Sequence, residues 1–319
     1  MCAIFGFLDY GKKIPANKLK KLINALAVNA EVRGTDATGI SYVKNSKIMT
    51  FKKAKPAHKL NLYFPKNTTA VIGHTRFTTQ GSAKKNYNNH PFEGRTENHN
   101  FSLAHNGVIY SDKELKQLYG FKSKIETDSY IAVQLLEYFS NIDENSIKSM
   151  AETVTGSFVF TILRDDNTLF LVKGNNPITL YHFPKYGLYV YASTKEILDN
   201  SLLETGFAEY KIEKIIVNEG DIIRIDSDGK ISVSCFESYK PEYDWFNFYD
   251  DTDYENDLLM ICNCYGVDCE DVELLLEYGY TSDEIEDMLF DTEYFESALK
   301  EAKTLQGVEH KNYFKEAEI

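Results

Sequence analysis

The sequence predicts a layered α+β domain followed by a small acidic helical module. Strand-like apolar runs occupy both ends of residues 1–240, with helix-patterned segments between and around them, a pattern that asks for sheets covered by helices. Residues 1–240 carry 31 Lys and Arg against 25 Asp and Glu, a balance of +6. Residues 241–319 carry 4 against 23, a balance of −19, so the net charge of −13 belongs to the tail. A near-neutral body with a strongly acidic extension reads as two modules. The 319 residues give room for one large domain and an appendage, and 43% hydrophobic residues suffice for a sizeable core.

The elements follow in order. Ala3 to Leu8 suits a buried strand, and Asp9-Tyr10-Gly11 turns the chain. Leu19, Leu22, Ile23, Leu26 and Ala27 fall at helical spacing and predict a helix over 17–28. RGTDATGI at 33–40 has two glycines and no apolar period, and a strand follows at 40–43. The basic stretch FKKAKPAHK at 51–59 reads as a solvated face or loop. A strand at 71–74 enters the polar loop TRFTTQGSAKKNYNNHPF, and loops this long in compact domains are often functional. Leu103 to His105 is a further strand, expected to end in a turn at Asn106-Gly107. Helices are expected over 111–119 and 127–138, the second starting at Thr127-Asp128 with Ile131, Ala132, Leu135 and Leu136 on one face. From residue 156 come the strands SFVFTIL, TLFLV, LYVYA and DIIRI, separated by turn signals, with a helix between Thr194 and Leu203.

Residues 241–256, aromatic and acidic and holding the single tryptophan Trp245, read as a linker. Residues 257–319 read as an acidic helical module of unknown role. There Gly279 closes a helix carrying Val272, Leu275 and Leu276, and Thr281 with Glu284 forms a capping box for the next.

Several function classes are excluded. No apolar run approaches the length of a membrane span, and the amino terminus lacks the features of a signal peptide. An acidic tail is the wrong sign for nucleic acid. Five irregularly spaced cysteines form no disulfide framework, which points to reduced thiols and a cytoplasmic location. Cys262, Cys264 and Cys269 lack a clear fourth ligand and read as packing cysteines. His74, His90 and His105 read as packing or loop-ordering residues. Neither a metal nor a cofactor is expected.

Cys2 carries the chemistry. Removal of Met1 leaves a thiol and a free α-amine on one residue, with reference pKa values of about 8.5 and about 7.7–8.0. That is a minimal nucleophile and base.

Five stretches occur in order: MCAIFGF, RGTDATG, GHTRFTTQG, LAHNGVIYS and ETDSY. Together they resemble the class II glutamine amidotransferases, the N-terminal-nucleophile hydrolase domains fused to glucosamine-6-phosphate synthase and to amidophosphoribosyltransferase. The resemblance covers about residues 2–230, including GSFVF, GNNPITLY, YASTKEIL and EGDIIRID. It implies a four-layer αββα sandwich of two antiparallel sheets within residues 2–240. It implies Cys2 as the nucleophile that forms a γ-glutamyl thioester, with its own α-amine carrying the proton. The Asn106 side chain and the Gly107 N–H would hold the oxyanion. Arg76, with Thr79 on the same loop, would bind the α-carboxylate, and Asp128 the α-ammonium. Arg33 would lie near the nucleophile and favour thiolate.

Two departures from the family pattern stand out. Ala3 replaces the usual Gly, which would be awkward if that backbone needs positive φ. Phe77 replaces a Trp or Tyr. Only the acidic tail follows the matched region, where fused relatives continue into a synthase half. The expected partners are therefore L-glutamine and a separate, unidentified ammonia acceptor or synthase, with homo-oligomerisation left open.

Two other readings compete: an N-terminal-nucleophile amidase acting on a different amide, and a catalytically silent interaction protein working through its acidic tail. Plainer roles are a turn for Asn106-Gly107, a surface ion pair for Arg76, a helix start for Asp128 and an Arg33–Asp36 turn.

Overall fold

The computed structural model describes residues 2–237, 267–281, 284–285, 288–289 and 294–304. Contacts divide the chain into two units, Met1–Lys240 and Pro241–Ile319.

The first unit is built on two antiparallel sheets. The seven-stranded sheet runs in the order β11 (Glu213–Ile215), β9 (Thr179–Phe183), β10 (Leu188–Ala192), β1 (Ala3–Asp9), β4 (Ala70–Arg76), β2 (Ala37–Lys44) and β3 (Lys47–Lys53). The six-stranded sheet runs β13 (Ile231–Cys235), β12 (Asp221–Ile225), β8 (Leu169–Lys173), β7 (Gly156–Arg164), β6 (Asn100–Ile109) and β5 (Phe92–Arg95).

Side-chain alternation along the strands sorts the apolar residues into three layers. Phe5 and Phe7 of β1 meet Leu22 and Leu26 of α1 (Ala16–Asn29) and Leu198 of α5 (Lys195–Glu204). Leu8 of the same strand faces the other way and packs with Leu163, Leu171 and Ile223 of the second sheet. On the far side Phe101, Leu103 and Phe160 meet Leu135 of α3 (Tyr130–Tyr138) and Met150 of α4 (Glu144–Thr153). The four-layer αββα sandwich is thus written in the parity of its strands. A short helix α2 (Asp112–Leu118) follows β6.

Four local expectations change. The strand at Leu103 does not end at Asn106-Gly107: β6 continues to Ile109. Gly107 has φ +141°, and a Cβ there would lie 1.9 Å from Ser157 O on β7. The Asn-Gly signal marks a distorted strand in close contact with its neighbour rather than a chain reversal. The basic stretch at 51–59 begins inside β3, an edge strand, where exposed Lys47 and Lys53 discourage pairing with another chain. Helix α3 starts at Tyr130, three residues after Thr127. Ala3 is an ordinary, fully buried strand residue, so this backbone does not need glycine.

In the second unit α6 (Cys269–Tyr278) ends at Gly279, which takes a left-handed φ of +108°. Thr281 N donates to Glu284 Oε2 at 2.9 Å and Glu284 N to Thr281 Oγ1 at 3.3 Å, the reciprocal bonds of a capping box. Val272, Leu275, Ile285 and Met288 share a small core with Phe295, Ala298 and Ala302. The expected linker and Trp245 lie outside the described residues.

Leu22 is fully buried between α1 and the sheet. Leu22→Ala is expected to lower unfolding stability by about 3 kcal/mol, measured by urea titration.

Candidate active site

Cys2 stands at the head of β1, the middle strand of the larger sheet. Two residues on, Ile4 packs against Ala104 of β6 and Val159 of β7, which ties this end of β1 to the strand carrying Asn106. Arg33 Nε donates to Cys2 O at 2.9 Å, and Cys2 Sγ lies 3.4 Å from Phe77 O. Burial pushes the Cys2 thiol up, while the contact with the Phe77 backbone and the Arg76 charge oppose that shift.

The RGTD turn acts as a clamp on the loop after β4. A Cβ on Gly34 would lie 2.4 Å from the Arg76 carbonyl carbon, so the turn seats directly on that backbone. Asp36 N donates to Arg76 O at 2.9 Å, and Asp36 Oδ2 accepts from Thr78 N at 2.8 Å.

Arg76 closes β4 and is 3% exposed. Its Nη1 donates to Asn89 Oδ1 at 2.7 Å, and its Nη2 donates to the carbonyls of Gln80 and Gly81. All three acceptors are neutral. Asp128 is 5% exposed; its Oδ2 accepts from Ile109 N at 2.7 Å and its Oδ1 from Ser129 Oγ at 3.3 Å, again neutral partners. Among the described residues neither charge has an ion-pair partner within salt-bridge distance, although Arg76, Asp128 and Cys2 act on one another electrostatically.

Asn106 is fully buried on β6, and its side-chain oxygen and nitrogen have no hydrogen-bond partner among the described residues. Its backbone oxygen accepts from Asn176 Nδ2 at 3.2 Å. The same Asn176 amide would lie 2.7 Å from a Cβ on Gly107.

Behind these groups lies a histidine cluster. His74 Nε2 is 2.9 Å from His105 O, bridging the two sheets. His105 Nδ1 is 2.8 Å from Ser129 Oγ, next to Asp128. His90 stacks on His74 with centroids 4.1 Å apart, and both of its ring nitrogens are buried without a hydrogen-bond partner among the described residues. Burial, reinforced by neighbouring positive charge, pushes His74 down to about 3 and His90 well below its usual value; burial also lowers His105, against the pull of Asp128.

The structure thus brings Cys2 together with Arg33 by a hydrogen bond and with Arg76 and Asp128 electrostatically, while Asn106 and Gly107 lie on β6, the strand whose Ala104 packs on Ile4 and whose Ile109 N bonds Asp128. Thr79 is exposed on the loop. Asn89 and Asn176 fall within the stretches NYNNHPF and GNNPITLY, yet nothing local assigns either a role of its own, because each stands beside another asparagine and is not singled out. Among the described residues no group of His, Cys, Asp and Glu is placed to hold a metal ion, and no helix is long and apolar enough to cross a membrane. The side chains of Cys262, Cys264 and Cys269 lie outside that description.

Two antiparallel sheets between helical layers, with a cysteine at the head of the central strand, define the N-terminal-nucleophile class. Residues 74–200 match the family model of a glutamine amidotransferase domain. Over 247 residues the chain is 31% identical to glutamine–fructose-6-phosphate aminotransferase [isomerizing] of Staphylococcus aureus, covering 72% of this chain and 38% of that protein. Over 191 residues it is 32% identical to the protein of the same name from Geobacillus kaustophilus, covering 56% and 30%. The fold is shared with glutamine phosphoribosylpyrophosphate amidotransferase from B. subtilis, solved with ADP and GMP, at a TM-score of 0.59 and 20% identity over 74% of this chain and 49% of that one. The chain carries a class II glutamine amidotransferase domain and spans 38% of the length of the Staphylococcus relative.

The histidines give an acid-stability signature. Held neutral, they bind fewer protons folded than unfolded below about pH 6.5, so stability is lost as pH falls through that value. Asp9, raised by burial to about 6, has the opposite sign between its unfolded value and pH 6, as does Glu137, also raised by burial, whereas His182, lowered by burial, adds to the effect of the three clustered histidines. Urea titrations at pH 7 and pH 5 are expected to show a loss of up to about 2 kcal/mol from His74 at the lower pH, with His90 and His105 acting in the same direction. His90→Phe should flatten the slope; an unchanged slope would contradict the assignment.

Proposed function

We propose that this chain hydrolyses L-glutamine to glutamate and ammonia, and that the ammonia serves a separate acceptor or synthase partner. The observation that carries the reading is the buried pair of opposite charges, neither of which has an ion-pair partner among the described residues. A lone buried charge is costly, and Arg76 and Asp128 are both held only by neutral groups. A free α-amino acid brings a carboxylate to the one and an ammonium to the other. An amide substrate without that head group would leave both charges unpaired, which disfavours the general amidase reading.

In the proposed reaction Met1 has been removed. The Cys2 α-amine takes the thiol proton, Sγ bonds to the side-chain carbonyl carbon of glutamine, and the oxygen of that carbonyl becomes an oxyanion. The free amide of Asn106, with the Gly107 N–H, is suited to receive it. Collapse breaks the carbon–nitrogen bond, the proton passes to the leaving nitrogen, and ammonia departs. Water then attacks the thioester, gives up a proton to the same amine, and releases glutamate with restoration of the thiol. Arg33, bonded to Cys2 O, keeps the nucleophile in register, and Thr79 on the exposed part of the loop is placed in the set that closes on substrate. The reading includes a cytoplasmic setting, where unbridged thiols persist; among the described residues Cys2 and Cys235 are free.

Steady-state glutaminase assays test it. Cys2→Ala is expected to abolish ammonia release while leaving the circular dichroism spectrum unchanged. Arg76→Ala is expected to raise KM for glutamine by roughly 30- to 100-fold, the scale of a lost charge-assisted pair. Ammonia release by Cys2→Ala would refute the mechanism.

A further inference from the structure

We propose that Lys52 is a positioning residue for glutamine binding, holding Arg76 in place through Asn89. The inference rests on the glutaminase reading of the site.

Lys52 lies on the edge strand β3, yet it turns inward where Lys47 and Lys53 stay exposed. Its Nζ donates to Asn89 O at 2.6 Å and to Pro91 O at 2.9 Å, bracketing His90, and lies 4.9 Å from the centre of the Phe92 ring. Asn86 Nδ2 returns a bond to Lys52 O at 2.9 Å. On the adjoining β2, a Cβ on Gly39 would lie 2.2 Å from His90 O, so the chain here is pressed onto the sheet by its own backbone. Residues 86–91 are therefore pinned to the sheet edge, and the charge-assisted bonds of that pin come from Lys52.

Asn89 carries the pin to the site. It is fully buried; its Oδ1 accepts from Arg76 Nη1 at 2.7 Å, and its Nδ2 donates to Ala83 O at 2.8 Å and Asn86 Oδ1 at 3.3 Å. Flipping the amide would turn a donor towards the guanidinium, so one orientation is enforced. A two-pronged carboxylate contact depends on the plane of the guanidinium, and that plane is set here by Asn89 on one side and the Gln80 and Gly81 carbonyls on the other.

The groups facing Lys52 are Glu93 of β5, Arg76 at the end of β4, and the neutral rings of His74 and His90. Burial lowers Lys52, Glu93 opposes, Arg76 adds to the lowering, and the result is about 8. Below that pH the ammonium makes charge-assisted bonds to both carbonyls. As pH rises through it the charge is lost and the pin weakens.

The test is glutaminase kinetics on the full chain with Lys52→Gln, Lys52→Met and Asn89→Ala, from about pH 6.5 to about pH 9.5, with folding checked by circular dichroism. At pH 7, Lys52→Met is expected to raise KM for glutamine about tenfold with kcat within about twofold, and Lys52→Gln, which keeps a donor, to raise it less. The variant-to-wild-type KM ratio should fall as pH rises through about 8, a comparison that cancels titration of the substrate amine. Asn89→Ala should give the same KM-selective change, and a double variant with Lys52→Gln should exceed the larger single effect only slightly.

An unchanged KM in folded variants, or a ratio flat with pH, would overturn the proposal and leave the glutaminase reading standing. If the Lys52 variants do not fold, Asn89→Ala and the wild-type KM profile decide: a KM that does not rise through pH 8 overturns it. A wild-type chain without glutaminase activity would overturn the reading and this inference together.

Discussion

The arrangement turns on two buried charges, Arg76 and Asp128, that make no ion pair at salt-bridge distance among the described residues. Stripping a guanidinium and a carboxylate of water costs several kcal/mol each unless other groups replace the solvent. Here the replacements are neutral: an asparagine side chain and two carbonyls for Arg76, a backbone N–H and a hydroxyl for Asp128. These bonds hold both side chains in place without supplying an opposite charge. The clamp from Asp36, the seat of Gly34 on the Arg76 backbone and the network from His105 through Ser129 all keep that unpaired state in place.

The sandwich supplies the rigidity. Strand β1 lies between β10 and β4 in the larger sheet, with helices on one face and the second sheet on the other. Cys2 therefore starts from a strand that cannot shift without disturbing both cores. Asn106 is fixed from the opposite sheet, inside a strand rather than on a turn, because the close approach of β7 leaves no room for a side chain at Gly107. Two sheets registered by buried packing hold nucleophile and amide more firmly than a loop would.

Much of this was legible in the sequence, for identifiable reasons. Leu19, Leu22, Ile23 and Leu26 repeat at helical spacing, and α1 follows them. Thr281 and Glu284 stand three apart, and the capping box forms. Candidate site residues could be named because they sit in short, ordered motifs. What stayed hidden depends on contacts distant along the chain. Asn106-Gly107 has the local composition of a turn, and only Ser157, half a hundred residues away, explains why it is a strand. FKKAKPAHK has the composition of a solvated face, and nothing local says that Lys52 turns inward while its neighbours do not. Helix α4 was passed over, since its apolar residues Ile147, Met150 and Ala151 are few, and its start depends on Asp143 accepting from Ser146 N at 2.9 Å.

The central claim is that a processed Cys2 faces a pocket shaped for an α-amino acid. Intact-mass analysis before and after incubation with an electrophilic glutamine analogue tests it most directly. The account predicts a chain lacking Met1 that gains one stoichiometric adduct, mapped to Cys2 and suppressed by excess glutamine. Retention of Met1, or a processed chain that takes up no adduct, would contradict it.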